Sequence, residues 1–128
     1  MVNLTDFVRE NYNLGGLREQ ISGFVTHTDY ADIDLLPRDD QLCAMEINEA
    51  MELYFRLRNE KYEEKTVLDH PFIRFIRENA RCTSLREQLG YYIDSQLEIA
   101  EDDFPRDSST CRSVISLGIR IHLDMKRN

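Results

Sequence analysis

The sequence predicts an all-α fold made of two tandem three-helix units packed as one pseudo-symmetric bundle. Three observations predict it. With Phe7 laid on Phe75, the chain aligns with itself without a gap. Within each copy, apolar residues recur at i, i+3, i+4 spacing, the period of a helix with one buried face. The prolines, Pro37, Pro71 and Pro105, stand at the joints between these periodic stretches, where the residue before proline is kept out of the α region.

The self-match comes in blocks. Phe7-Val8-Arg9-Glu10-Asn11 answers to Phe75-Ile76-Arg77-Glu78-Asn79, and Leu17-Arg18-Glu19-Gln20-Ile21 to Leu85-Arg86-Glu87-Gln88-Leu89. Leu36-Pro37-Arg38-Asp39 answers to Phe104-Pro105-Arg106-Asp107, and Cys43 and Ile47 to Cys111 and Ile115. This places one unit in residues 1–64 and the other in 69–128, joined across Glu60–Asp69. A small repeat cannot hide its apolar face alone, so the two units are expected to share one buried seam.

The first helix of each unit is expected near 4–12 and 71–80, with Phe7 and Val8, or Phe72, Phe75 and Ile76, on its apolar side. Asn13-Leu14-Gly15-Gly16 suits a left-handed helix stop. The second helix carries Leu17, Ile21, Phe24 and Val25 in one copy and Leu85, Leu89, Tyr92 and Ile93 in the other. Ser84 and Glu87 form the pattern of a capping box. An acidic connection leads to Leu36-Pro37 or Phe104-Pro105, whose apolar residue is expected to be buried beside the next helix. Asp39 or Asp40, and Asp107 or Ser108, can cap that third helix, expected near 40–62 and 108–126. Its stripe runs Cys43, Ile47, Ala50, Tyr54, Leu57 against Cys111, Ile115, Gly118, His122, Met125. The small residues Ala50 and Gly118 predict that the two long helices cross closely there.

Composition bounds the function. Hydrophobic residues make up 41 % of the chain, enough for a packed core. No apolar run approaches the length of a membrane span, and the Met1–Asp6 start lacks the pattern of a signal peptide. A cytoplasmic protein is therefore expected. Three cysteines at wide spacing fit neither a disulfide framework nor a zinc site and read as reduced structural thiols. The net charge is −8, carried almost wholly by residues 1–68, which hold 7 Lys/Arg against 14 Asp/Glu. Such a balance repels phosphate and argues against general nucleic-acid binding.

The aromatic pair Phe72/Phe75-Ile76, the leucine-bearing second helix and Asp102-Asp103-Phe104-Pro105-Arg106 together resemble the YozE-like family of small SAM-like helical domains. Copy one has Leu36 where the family pattern has Phe. The resemblance implies a compact helical bundle in each copy and brings no catalytic residues with it.

The motifs of catalysis do not emerge. His27, His70 and His122 have no partner at metal-ligand spacing, and His122, on the stripe position of Tyr54, reads as a structural imidazole. Asp29, Asp32 and Asp34 lack the glycine and distal glutamate of a calcium loop and read as a solvated linker. There is no phosphate loop and no nucleophile elbow. No enzyme, cofactor or metal site is expected.

The candidate interaction residues are the polar ones shared by the copies, Arg9/Arg77, Arg18/Arg86, Glu19/Glu87, Gln20/Gln88 and Arg38/Arg106, which serve either as two equivalent contact sites or as helix caps and ties between helices. Arg74, Arg77 and Arg81 line one helical face, an alternative nucleic-acid contact or a bridge to the acidic first half. Asp29, Asp32 and Asp34 suit an acidic inhibitor of a nucleic-acid-binding protein, phage-encoded or on another mobile element. The leading expectation is a non-enzymatic module that binds another protein, as monomer or homodimer.

Overall fold

The computed structural model describes residues 3–27, 36–67, 69–95 and 104–127. The acidic segment holding Asp29, Asp32 and Asp34 lies outside the described residues. Six helices follow in order: α1 Leu4–Asn11, α2 Leu17–His27, α3 Asp40–Leu57, α4 Pro71–Asn79, α5 Leu85–Ser95 and α6 Ser108–Arg127. The described residues contain no strand, and no described helix is long and apolar enough to cross a membrane.

Local chemistry sets the helix starts. Asn3 accepts the Asp6 N–H at 2.8 Å to open α1. Asp39 accepts the Leu42 N–H at 3.0 Å to open α3, and Asp107 accepts the Thr110 N–H at 3.0 Å to open α6. Of the two capping candidates at each position, the first therefore does the capping. His70 Nδ1 accepts the Phe72 N–H at 3.0 Å, with Pro71 as the first residue of α4. In the expected capping box, Glu87 does reach back to the Ser84 N–H, at 3.3 Å. The Ser84 hydroxyl, however, donates to the same carboxylate at 2.7 Å.

The end of α3 differs from the expected boundary near residue 62. The helix stops at Leu57, and Asn59 takes φ 55°, the left-handed region. The Asn59 N–H donates to the Arg56 carbonyl at 3.1 Å and the Glu60 N–H to the Phe55 carbonyl at 2.9 Å. That paired closure is the Schellman geometry, which asparagine tolerates better than other side-chain-bearing residues. Residues 60–67 then run without helix across the molecule.

One apolar core draws on all six helices. Within each half the closest packing is α1 against α3, and α4 against α6. Between the halves α2, α3, α5 and α6 all touch. The long helices α3 and α6 are antiparallel, because Asp40 meets His122 at one end and Tyr54 meets Ser108 at the other.

Gly118 serves a different neighbour from the one expected. A Cβ placed on Gly118 would lie 2.5 Å from the Phe72 ring, so this glycine admits α4, its own half's first helix. At the matching positions of the first half stand Ala50 and Leu4, both buried. There a larger residue on the long helix is matched by a smaller one on the first. Phe72 also joins an aromatic cluster with Tyr92 and Phe104, ring centroids 5.1 to 5.4 Å apart. Leu36 and Phe104 are both buried, as their place before proline suggests. Each such large apolar side chain contributes on the order of 1.5–3 kcal/mol when fully buried.

Candidate interaction face

The shared polar residues divide sharply by burial. Arg18 and Arg86 are only 7 % and 8 % exposed. Arg18 Nη1 donates to the Phe104 carbonyl at 3.3 Å, and Arg86 Nη1 to the Leu36 carbonyl at 3.4 Å. Each guanidinium thus crosses to the other half and satisfies a carbonyl that precedes a proline. Gln20 and Gln88 are buried as well. Their Nε2 atoms donate to the carbonyls of Asn11 and Asn79 at 2.7 and 2.6 Å, tying the end of the first helix to the second in each half. These four side chains hold the fold together and do not present a surface.

A second pair of bonds crosses the seam at the starts of the long helices. Asp40 Oδ1 accepts the Leu85 N–H at 2.9 Å. Its other oxygen lies 2.8 Å from Nε2 of fully buried His122. Ser108 Oγ accepts the Leu17 N–H at 3.3 Å and lies 3.2 Å from the Tyr54 hydroxyl. Each half therefore caps the second helix of the other. Burial alone would raise the Asp40 carboxyl. The Leu85 N–H, His122 and the charge of Lys126 outweigh it and leave the group below its ordinary value.

The remaining arginines are at the surface. Arg9, Arg38, Arg77, Arg81 and Arg106 are exposed. Arg9 pairs with Asp6 at 3.2 Å and Arg74 with Asp69 at 3.5 Å, both exposed pairs worth little in water. Arg74, Arg77 and Arg81 do share an open face of α4 and the turn after it.

A different surface feature lies along the outer side of the antiparallel α3/α6 pair. It is one furrow with two differently filled halves. Over the first, residues 60–67 lie across α6. The Ser109 hydroxyl accepts the Glu63 N–H at 3.0 Å, and the Ser113 hydroxyl accepts the Lys65 N–H at 2.8 Å. Tyr62 packs edge-on against Phe55 at 5.5 Å, with the Arg112 guanidinium 4.3 Å from its ring centre. The second half is an open groove of ≈ 400 Å³, walled by Gln41, Ala44, Met45 and Asn48 of α3 and by Ser116, Ile119, Arg120 and Leu123 of α6.

Met45 is 55 % exposed beside this groove, and Leu42, one turn earlier, is 54 % exposed. Sequence reasoning missed both. The signal was available: Leu42 and Met45 are spaced i, i+3 but fall off the Cys43-Ile47-Ala50-Tyr54 stripe, so they face away from the core.

Of the three thiols, Cys43 and Cys111 are buried and Cys82 is exposed. Burial pushes the Cys43 thiol up to about 12, with Asp40 and Glu46 adding to it. Burial likewise pushes the Cys111 thiol up. Cys82 thus departs from the expectation of three structural cysteines, because it sits in the turn after α4 and not on an apolar stripe.

No family model, no curated protein and no solved structure matches the chain.

Proposed function

We propose that this chain is a non-enzymatic protein-interaction module, a fused pair of SAM-like, YozE-like three-helix units that docks a partner through the open α3/α6 groove. The observation that carries the reading is exposed Met45 on a groove that Ile119 and Leu123 also wall, with exposed Leu42 one turn earlier on α3. Exposed apolar side chains clustered on a groove mark interaction surfaces. The paired-unit reading is supported by bonds that recur at matched positions of the two halves: Asn11 to Phe7 and Asn79 to Phe75, Gln20 to Asn11 and Gln88 to Asn79.

The test compares capture by the native chain with capture by Met45→Lys. Met45 is exposed, so the variant should fold, and circular dichroism checks that it does. The proposal stands if a chain held in stoichiometric amount by the native protein is lost on the variant. It fails if no such chain is held, or if Met45→Lys holds it equally well.

The exposed Arg74/Arg77/Arg81 face supports a second reading, nucleic-acid contact. Retention of RNA or DNA that weakens steeply with salt and is abolished by changing those three arginines would favour it.

A further inference from the structure

We infer that the open half of the α3/α6 furrow receives an extended peptide segment of a partner protein, one bearing a large apolar side chain with a carboxylate close by. This rests on the interaction reading above and specifies the conformation and chemistry of what docks.

The argument comes from the occupied half. There the chain's own residues 60–67 show what the furrow holds: non-helical backbone. Successive alternate N–H groups, of Glu63 and Lys65, are bound by side chains one helical turn apart, Ser109 and Ser113. Alternation of that kind is the period of an extended strand. A helix could not offer it, since its backbone N–H groups are consumed internally.

The positions that grip residues 60–67 have counterparts at the matched positions of the repeat, and these line the open half. Ser109 corresponds to Gln41, Arg112 to Ala44, Ser113 to Met45 and Phe55 to Leu123. Gln41 and Asn48 offer side-chain oxygens for a peptide backbone. Where Arg112 covers the Tyr62 ring, Ala44 leaves space. A large apolar side chain of the occupant would lie on Ala44 against Leu123, as Tyr62 lies against Phe55. The charge differs too. Exposed Arg120 stands at the position that Glu52 holds in the other half. On a chain of net charge −8, the one charged residue among the groove's lining side chains is an arginine, which selects a carboxylate beside the anchor.

The experiment selects a random dodecapeptide library displayed on phage against the full chain, then measures the enriched peptides by fluorescence anisotropy. The expected peptides carry an aromatic or large aliphatic residue near an Asp or Glu. Their affinity should fall about tenfold or more on Met45→Lys and on Arg120→Glu, the charge reversal acting through electrostatic complementarity. Bound-state nuclear Overhauser contacts should be those of extended backbone. Peptides that bind the groove as helices would overturn the inference and leave the interaction reading standing. Failure to enrich any groove-binding peptide, while Met45→Lys still abolishes capture of a protein partner, would also overturn it alone. Failure of both peptide selection and capture would overturn the two together.

Discussion

Asp40 and His122 face each other across the seam at 2.8 Å, in the place that Ser108 and Tyr54 occupy at 3.2 Å at the other end of the α3/α6 pair. One end is an ionisable pair and the other a neutral one, yet both serve the same purpose, since Asp40 and Ser108 each cap a helix of the opposite half. Asp40→Ala removes the cap of α5 and leaves His122 buried without its partner. A loss of about 3 kcal/mol is expected in urea unfolding. The double change Asp40→Ser with His122→Tyr rebuilds the other end's pair. It should lose less than the sum of the two single changes, the coupling a double-mutant cycle reads directly.

The same carboxylate makes stability depend on acid. Its folded value lies below the ordinary 3.8. Its contribution is therefore complete above pH 4 or so, and it is lost as pH falls through the lowered folded value. Asp40→Asn should be less stable than the native chain at pH 7. The gap between them should narrow below pH 4, as measured by urea midpoints at both pH values.

Gly118→Ala brings a methyl group to within 2.5 Å of the Phe72 ring. It should cost about 1–3 kcal/mol, the usual range for overpacking. Adding Phe72→Leu recreates the Leu4/Ala50 combination of the first half and should recover part of that loss. Equal destabilisation of the single and double variants would show that the two halves do not trade volume in this way.

Asn59 is the one non-glycine described residue with positive φ. Asn59→Gly should be neutral or mildly stabilising, whereas Asn59→Val should cost about 1–2 kcal/mol from the left-handed backbone alone. Thermal unfolding of the three proteins side by side checks the order.

A thiol reagent should modify one cysteine in the native protein at neutral pH and three after denaturation. The reactive one should be Cys82, because the other two are buried and their thiolates disfavoured. Mass mapping of the labelled peptide identifies it.

The sequence made the helices legible wherever local chemistry decides them. Leu17 and Leu85 open helices as their stripes predict, Asp39 and Asp107 cap, and Leu36 and Phe104 are buried. Where α3 ends was not legible, because Leu57 and Tyr62 keep the pattern apolar past the stop that Asn59 imposes. That Arg18 and Arg86 tie helices is one of the two readings the sequence allows; that they reach across to the other half is not legible, since arginine is ordinarily exposed and the carbonyl partners lie 86 and 50 residues away. Gly118 is a close-approach position, as its small size suggests, but spacing cannot say that the neighbour approaching is Phe72. The groove walls were hidden for the same reason: Met45 and Leu123 become one surface only once α3 and α6 lie antiparallel.

Carried to both halves of a sequence that aligns with itself, the docking proposed above would give two equivalent positions. Residues 60–67 forbid it. They lie over Ser109, Ser113 and Phe55, so under the docking proposed above they would act as a tethered occupant of one of the pair, at very high local concentration. Titration should accordingly saturate at one peptide per chain, and a second equivalent should register only after the tether's hold on Tyr62 is broken.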